Sequence, residues 1–344
     1  MVKVDSFFGG QVFRNSIGLS ALLQKEIKVT NIRGHRETAG LGKQHLTGLD
    51  FLRVACNARV FGAKIGSKDI AFKPNEFSGG EFSLNVGSAG SICLVLQSLL
   101  LPSMKKQTRL KISGGTDVPF APPINFFVHE FFPILRKMHA NFDLKIVNRG
   151  YYPKGGGLAI FSSKPLEKFE GINLSVKKPV DNVKIFCHSS GLPVEVTKTM
   201  GLTAKKKLEE NNLDCEIVFD VSASKESVGC GIEVFGFTKN SVISRSALGR
   251  KGLPAEKVAV NAVNDFLLEV NSNACVDVFT SDQLIPFMAL AKGKSVFSVR
   301  LISHHLKESI HVVEQFLPVK FEIKEKNNLF FVSVDGADFF NSQI

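Results

Sequence analysis

The chain has 344 residues, of which 44% are hydrophobic and 22% charged, so a packed globular core is expected and wholesale disorder is excluded. Lysine and arginine (43) outnumber aspartate and glutamate (32), and the resulting formal charge of +11 favours a polyanionic partner such as a nucleic acid or a nucleotide. No apolar run approaches the roughly 18 residues of a membrane span, and the N-terminus lacks the pattern of a secretory signal, so we expect an intracellular, soluble protein with no membrane partner.

Helices and strands alternate through the first half of the chain. Apolar residues at helical spacing predict helices over Phe13–Leu23, Leu46–Ala55, Ser91–Leu101 and Asn125–Met138. Strands are predicted over Ile27–Ile32, Phe82–Val86, Arg109–Ser113, Phe142–Val147 and Gly157–Ser162. A helix followed by strands recurs, which indicates an α/β (α+β) fold of repeated units rather than one doubly wound sheet. No sequence repeat proves this from spacing alone.

The second half begins with a change of composition, since polar and charged residues dominate Leu166–Asp181. A compact α/β module follows, with predicted strands and helices at Val183–Cys187, Val194–Glu210, Cys215–Val221, Gly231–Phe237, Ser241–Ser246 and Pro254–Val270. The last stretch predicts helix Ser281–Ala291, strand Ser295–Leu301, helix Leu306–Phe316 and a hairpin that pairs Val319–Lys324 with Leu329–Val334 across Asn327-Asn328.

Glycine-rich turns lie at several element boundaries. Gly87-Ser88-Ala89-Gly90-Ser91 leads from a strand directly into a helix, where the backbone can approach a phosphate and free amides point toward it. Gly9-Gly10-Gln11 and Gly114-Gly115-Thr116-Asp117 lie at similar boundaries. A purely structural turn remains the alternative for each of them.

A basic cluster follows strand Ile27–Ile32. It consists of Arg33, His35, Arg36, Lys43, Gln44 and His45. The planar guanidinium of arginine can donate two hydrogen bonds to phosphate oxygens, and lysine adds a point charge. Glu37 is the one acidic residue in this stretch of the chain. A phosphate site and a solvated loop are both compatible with this composition.

A pair of histidines precedes the predicted helix Leu306–Phe316. His305 lies where a strand gives way to a helix N-terminus, and there the helix dipole favours an anion such as a triphosphate facing a neutral imidazole. Metal binding by His304 and His305 together is disfavoured, because adjacent residues on an extended segment point to opposite sides. A plain surface or capping role is the alternative.

Taken together, these pieces resemble the RNA 3′-terminal phosphate cyclases. The matching motifs are Gly9-Gly10-Gln11 with Arg14, Arg33 to His45, Gly87 to Ser91, Ser113 to Asp117, Ala121-Pro122-Pro123, Arg149 to Gly157, Asp282-Gln283-Leu284, Met288 to Ala291, and His305 ahead of its helix. The resemblance covers essentially the whole chain, and Arg149-Gly150-Tyr151-Tyr152-Pro153-Lys154-Gly155-Gly156-Gly157 is close to diagnostic.

The resemblance implies a core of repeated βαβ-type units with helices packed on sheets, over residues 1–182 and 274–344, and a smaller inserted α/β domain over 183–273. It also implies that His305 attacks the α-phosphorus of ATP to give a histidine–AMP adduct. The adenylate then passes to an RNA 3′-phosphate, and the adjacent 2′-OH displaces AMP to close a 2′,3′-cyclic phosphodiester. Adenylation is needed because a phosphate monoester is a poor electrophile, and it turns the bridging oxygen into a good leaving group.

Individual roles follow from the same resemblance. The residues that it assigns to the nucleotide are Gln97, Pro122, Phe279, Asp282 and Gln283. Those that it assigns to phosphates or the RNA end are Arg14, Arg33, Arg36, Gln44 and His45. Magnesium or manganese is expected to accompany ATP, with no protein ligand assigned. The location implied is the nucleus in a eukaryote and the cytoplasm otherwise.

Two departures from the family pattern stand out. Ser6-Phe7-Phe8-Gly9 lacks the glutamate that the family usually has before its glycines, which bears on metal binding. Phe279 replaces a common tyrosine and keeps the ring without the hydroxyl. Two alternatives stay open: a catalytically silent cyclase-like relative in ribosome assembly, disfavoured by His305 with Asp282-Gln283, and an RNA-binding module without nucleotide chemistry.

Overall fold

The first sheet shows the order of elements on which the core is built. The computed structural model of the protein describes residues 1–6, 9–87 and 89–341. The first unit consists of β1 (Val2–Asp5), α1 (Gly10–Leu23), β2 (Ile27–Thr30), α2 (Lys43–Ala55), β3 (Arg59–Phe61) and β4 (Ile70–Lys73). Its strands lie in the order β1-β2-β4-β3, with β1 and β2 parallel and the other pairs antiparallel.

The second unit repeats this arrangement. It consists of β5 (Gly80–Asn85), α3 (Ile92–Ser103), β6 (Thr108–Gly114), α4 (Ile124–Phe126), a π-helical turn (Phe127–Phe131), α5 (Phe132–Lys137), β7 (Phe142–Asn148) and β8 (Gly157–Ser163). The order β5-β6-β8-β7 again places the fourth strand between the second and the third. The helix predicted over Asn125–Met138 is therefore present but is interrupted by the π turn.

The third unit is interrupted by the inserted module. It starts with the short strand β9 (Asn173–Leu174). The chain then leaves it for β10 (Val180–Ser190), α6 (Val194–Glu209), β11 (Cys215–Ser222), β12 (Gly229–Thr238), β13 (Val242–Leu248) and α7 (Ala255–Val270). These four strands form a sheet of their own, in the order β11-β10-β12-β13.

After the insert, the chain completes the third unit. The remaining elements are α8 (Val278–Leu290), β14 (Lys292–Val299), α9 (His304–Phe316), β15 (Glu322–Lys326) and β16 (Leu329–Ala337). The sheet order β9-β14-β16-β15, with β9 and β14 parallel, matches the first two units. The repeated units expected from the helix-then-strands pattern are thereby confirmed as three βαβαββ units.

The buried apolar residues form two separate clusters. One large cluster draws on all three units, for example Phe13, Leu96 and Leu284 from their first helices. The other lies within the insert, where Met200 and Phe266 pack against the sheet. Separate cores suit a separate domain. The boundary placed at residues 183 and 273 stays a prediction, and β10 itself begins at Val180.

Most of the predicted elements are present within a few residues of their expected ends. The sequence patterns did not predict β1, β3, β4 and β9, which are two to four residues long. The strand predicted over Ser295–Leu301 runs three residues earlier at its start and ends at Val299. Asn327 and Asn328 have positive φ values of 52° and 60°, as the predicted hairpin turn requires. No helix among the described residues is long and apolar enough to cross a membrane.

Candidate active site

A chain of polar side chains joins the first helices of the three units. Arg14 on α1 donates from Nε to Oε1 of Gln97 on α3 over 2.6 Å. Gln97 donates from Nε2 to Oε1 of Gln283 on α8 over 2.7 Å. The three residues are far apart in sequence, and each lies on the first helix of its unit. The site therefore forms only where the three units meet.

A buried carboxyl group lies beside this chain. Asp282 is 4% exposed, and its Oδ1 accepts a hydrogen bond of 2.7 Å from Nε2 of Gln11. Burial raises the pKa of Asp282 to about 7, although the hydrogen bond from Gln11 and the nearby charges of His305 and Arg14 act in the opposite direction. Burial likewise lowers the pKa of Arg14 to about 10. Both groups carry a desolvation cost, which is typical of functional sites.

His305 is the second residue of α9. The N-cap of this helix is Ser303, whose Oγ accepts from the backbone N–H of Leu306 over 3.0 Å. Nδ1 of His305 lies 3.3 Å from Oε2 of Glu308, one helical turn later, and the imidazole side chain is 49% exposed. With the Nδ1 proton directed to the carboxylate, the lone pair of Nε2 is available to a substrate.

The electrostatic surroundings favour the charged imidazole. The pKa of His305 is raised above 6.5, chiefly by the hydrogen bond to Glu308, with a further contribution from Asp282 and with burial opposing. A Cβ atom on Gly9 would lie 3.5 Å from Cε1 of His305, so the glycine turn before α1 adjoins the ring. The extended geometry expected at the histidine pair is wrong, because His304 and His305 are both helical.

His45 presents a buried donor to the same region. Its Nδ1 accepts from the backbone N–H of Gly42 over 3.2 Å, which places the proton on Nε2. Nε2 is buried without a hydrogen-bond partner among the described residues. Burial, with the charges of Arg14 and Arg33, lowers the pKa of His45 to about 3, so the ring is neutral. A Cβ on Gly10 would lie 2.3 Å from Nε2, so only glycine lets the ring reach the backbone here.

The arginines of the basic loop differ in their surroundings. Arg33 is half-buried with a positive φ of 54°, and its guanidinium donates to the carbonyl of Gly40 over 3.1 Å. Burial and the neighbouring charge of Arg36 lower the pKa of Arg33. Arg36 is exposed. Arg33 thus lies at the edge of the site, and Arg36 lies farther out on the loop.

The start of α2 contacts the glycine turn that precedes α3. Oε1 of Gln44 accepts from the backbone N–H of Ser91 over 3.2 Å. A Cβ on Gly87 would lie 2.5 Å from Nζ of Lys43, so the ammonium group lies over the turn. Gln44 therefore supports the turn, and Lys43 is the charge that a phosphate there would meet. Ser88, within the same motif, lies outside the described residues.

The N-terminus of α8 presents an exposed aromatic ring. Phe279 is 61% exposed, and the guanidinium carbon of Arg245 lies 4.5 Å from its ring centroid. Oδ1 of Asp277 accepts from the backbone N–H of Phe279 over 2.8 Å and caps the helix. Phe279 and Gln283 are one turn apart and share a face. Pro122 is half-buried in the loop between β6 and α4.

A cavity lies along the neighbouring face of α9. Its volume is about 500 Å³, and it is lined by Asp5, Val12, His304, Lys307, Glu308, His311 and Val312. Oε1 of Glu308 is buried and has no hydrogen-bond partner among the described residues. A free carboxylate oxygen fits the oxygen ligands that Mg²⁺ and Mn²⁺ prefer. Phe7 and Phe8, where the family glutamate is missing, lie outside the described residues.

Three residues of this site were not among the predicted site residues. Gln11 was noted only as part of a glycine motif, although its amide reaches both Asp282 and Ser309. Glu308 was detectable, since a residue three positions after His305 on a helix must face it. Ser309 carries no signal in the sequence, because its contact to Gln11 joins residues 298 positions apart.

The family model and the curated relatives agree on one family. The family model described as RNA 3′-terminal phosphate cyclase matches residues 6–323. A Pyrococcus furiosus protein named RNA 3′-terminal phosphate cyclase is 38% identical and aligns with 94% of this chain and 95% of its own length. A Methanosarcina mazei protein of the same name is 39% identical and aligns with 97% of this chain and 100% of its own length. The same name belongs to a Pyrobaculum aerophilum protein that is 33% identical over 98% of this chain and 99% of its own.

Proposed function

Because the chain belongs to the RNA 3′-terminal phosphate cyclase family, we propose that it converts an RNA 3′-phosphate to a 2′,3′-cyclic phosphodiester through a covalent adduct between His305 and AMP. The chain is an ATP-dependent enzyme of the ligase type. The observation that carries the proposed mechanism is the His305–Glu308 pair at the start of α9, next to Gly9 and within the charge field of Asp282.

In the first step, Nε2 of His305 attacks the α-phosphorus of ATP. The new N–P bond replaces the bond to the bridging oxygen, and pyrophosphate leaves with the electron pair. Glu308 accepts the hydrogen bond from Nδ1–H and stabilises the positive charge that the ring gains. The N-terminus of α9 adds a favourable dipole for the phosphates.

In the second step, an oxygen of the RNA 3′-phosphate attacks the phosphorus of the adduct. The N–P bond breaks, its electron pair returns to Nε2 of His305, and AMP is transferred to the RNA. The ribose 2′-OH then attacks the activated 3′-phosphorus and releases its proton to water. The bridging P–O bond breaks, and AMP leaves with the electron pair. Arg14 and the Nε2–H of His45 support the phosphates here, because both donors lie beside Gly10 at the N-terminus of α1. Arg33 and Arg36 extend the positive surface toward the RNA, and Gln44 holds the Gly87–Ser91 turn.

The nucleotide lies along α8 in this proposal. Phe279 offers one ring face to the adenine while Arg245 covers the other. Gln97 and Gln283 are fixed by their mutual hydrogen bond and reach the AMP portion, with Asp282 behind them and Pro122 at the edge. In this arrangement the adenine base lies at the N-terminus of α8, and the phosphates extend from it toward His305.

A magnesium or manganese ion would be held by Glu308, whose Oε1 is buried and has no hydrogen-bond partner in the part of the chain that the structure describes. Such an ion offsets the negative charge of the triphosphate when it is bound. Glu308 would thereby supply a carboxylate in a chain that lacks the family glutamate before Gly9.

The proposal is tested with ATP labelled at the α-phosphate and an oligoribonucleotide ending in a 3′-phosphate. We expect labelled protein without RNA, and free AMP together with a phosphatase-resistant RNA end when RNA is added. An RNA that binds without any change at its end, and a protein that takes no label, would instead support the silent cyclase-like relative or a simple RNA-binding module.

Replacing Glu308 by glutamine is expected to change the pH dependence of self-adenylation. The reactive imidazole is neutral, so the wild-type rate falls as the pH drops through the raised pKa of His305. Glutamine removes the main cause of that raised pKa, so the acid limb should move to lower pH. The plateau rate should fall about 10-fold or more, because the ring is less well held. Glu314→Gln, also on α9, is the control, and an unmoved acid limb in Glu308→Gln would refute the pairing.

Replacing both Arg33 and Arg36 by alanine is expected to weaken binding of 3′-phosphorylated RNA by about 10-fold or more. The slope of log affinity against log salt should also become shallower by about 1.4, since each of the two lost phosphate contacts on a single strand contributes about 0.7. Arg53→Ala is the control, because Arg53 is an exposed arginine on α2 paired with Asp50. A salt slope equal to that of wild type would remove these arginines from the RNA surface.

The RNA partner and the location within the cell stay predictions. The relatives named above come from archaea, so they lend no support to the nucleus.

A further inference from the structure

A second buried polar cluster lies between the second unit and the insert. Asp117 follows β6, whereas His188 and Glu233 project from β10 and β12 of the insert. His188 pairs in register with Gly231, so His188 and Glu233 are diagonal neighbours on one face of the sheet. A Cβ on Gly231 would lie 2.6 Å from Cε1 of His188, so the glycine makes room for the ring. The proposed cyclisation uses none of these residues.

Asp117 is held by one oxygen and offers the other. Its Oδ2 accepts from Oγ1 of Thr116 over 2.7 Å and from Nη1 of Arg149 over 2.9 Å. Oδ1 is buried without a hydrogen-bond partner among the described residues. Arg149 also pairs with Asp220 of the insert over 2.7 Å, so the carboxylate is fixed by a rigid neighbour. Asp117 thus presents one oriented lone-pair atom.

His188 and Glu233 are arranged in the same way. Nδ1 of His188 hydrogen-bonds to the hydroxyl of Tyr151 over 2.8 Å, and one carboxylate oxygen of Glu233 accepts from the side-chain amide of Asn125. Nε2 of His188 and Oε1 of Glu233 are buried and have no hydrogen-bond partner among the described residues.

The three groups are close enough to share one ion. Nε2 of His188 lies 3.7 Å from Oδ1 of Asp117 and 3.9 Å from Oε2 of Glu233, the oxygen that also accepts from Asn125. One ligand atom from each residue lies within 4.8 Å of the others. Ligands about 2.1 Å from a tetrahedral centre are about 3.4 Å apart. The two measured pairs would therefore need to close by about 0.3 Å and about 0.5 Å. The pair between Asp117 and Glu233 lies within 4.8 Å and would close with them.

We propose that Asp117, His188 and Glu233 bind a divalent transition-metal ion, of the class of Zn²⁺ or Mn²⁺, that ties the insert to the second unit. One nitrogen and two carboxylate oxygens are a donor set that such ions accept. The contacts of Tyr151, Asn125 and Arg149 orient the ligands from behind, as is usual around protein-bound metals.

A proton shared between two of these groups is the competing explanation. One O–H donor satisfies a single acceptor and leaves the third atom buried and unpaired, which is costly. A cation satisfies all three together. Asp117 and Tyr151 also line a cavity of about 610 Å³ between the second unit and the insert, which provides a route of entry and room for a water ligand.

The test measures metal content and thermal unfolding of the full chain, without ATP or RNA. Protein stripped with a chelator is dialysed against Zn²⁺ or Mn²⁺, and bound metal is quantified for wild type, His188→Asn and Glu233→Gln. His129→Asn is the matched control, because His129 lies at the same junction and stacks on Phe186. Surface histidines contribute a background that all four proteins share.

We expect wild type and His129→Asn to bind one more equivalent of metal than His188→Asn and Glu233→Gln. Added metal should raise the melting temperature of wild type and His129→Asn but not that of the other two variants. Equal metal content and equal thermal shifts in wild type and Glu233→Gln would overturn the site. If the variants fold poorly, the proposal is tested by titrating Co²⁺ into the wild-type protein and recording the visible absorption spectrum. A band that saturates and is typical of a low-symmetry nitrogen–oxygen site supports the proposal. A spectrum of octahedral aqueous Co²⁺ alone refutes it.

Discussion

Replacing His305 by alanine is expected to abolish self-adenylation, with a loss of at least about 1,000-fold in the rate of label incorporation. The reason is the arrangement of this ring: among the described residues at the start of α9, His305 alone has a carboxylate hydrogen-bonded to Nδ1 and an available Nε2. The measurement is incorporation of α-labelled AMP at saturating ATP and metal.

His304→Ala is the matched control for this change. His304 is the preceding residue on the same helix, and it is exposed beside the cavity of about 500 Å³. It should retain a substantial part of the wild-type rate. Equal labelling of wild type and His305→Ala would contradict the assignment of the nucleophile, and loss of labelling in both variants with a lowered melting temperature would point to damage of α9 instead.

Replacing Arg14 by alanine is expected to lower kcat/KM for adenylation by about 100-fold to 1,000-fold. Arg14 donates to Gln97 and lies beside Gly10, so its loss removes a charge from the phosphates and frees Gln97 from its place beside Gln283. Since burial lowers the pKa of Arg14 to about 10, the fold does not gain from its charge. The melting temperature should therefore stay unchanged or rise.

Arg14→Lys separates charge from geometry. Lysine keeps a positive charge but lacks the fork that bonds to Gln97, so we expect activity between that of wild type and Arg14→Ala. An activity of Arg14→Ala within about threefold of wild type would show that the reaction does not depend on Arg14. A marked drop in melting temperature that accounts for the lost rate would show that its role is structural.

The fold class and its repeated units were predictable from the sequence, but the strand order within each unit was not. Helices such as α1 and α6 were readable because their apolar spacing extends over three or four turns. The strands β3 and β9 span three and two residues, too few for alternation to show. Without them, the first and third units do not look alike, so the βαβαββ repeat is visible only in the sheet order.

The site was predictable from motifs where one motif supplies the group. The His305 position followed from a strand-to-helix change, and Asp282-Gln283 followed from the family resemblance. What could not be predicted is which residues meet, because Gln11 and Asp282 are 271 positions apart. The orientation of His305 depends on Glu308, one helical turn later. The predicted helix contained this pair, but the contact between the two side chains was not predicted.

The burial of His45 was also hidden from the sequence. A histidine in a basic loop is expected to be solvated, yet His45 is 6% exposed because Gly10 leaves no side chain in its way. The neutral ring follows from that burial rather than from composition, and so does an Nε2–H without a hydrogen-bond partner among the residues described. The same holds for Asp117, which belongs to a glycine motif in sequence but faces His188 of the insert in space.

The most direct test of the central proposal is to map the AMP adduct by peptide mass spectrometry after incubation with ATP and metal, without RNA. The mechanism predicts one modified residue, His305, with a phosphoramidate that acid releases and base leaves intact. AMP on Lys307, on His304 or on any residue other than His305, or no adduct even at saturating manganese, would contradict it.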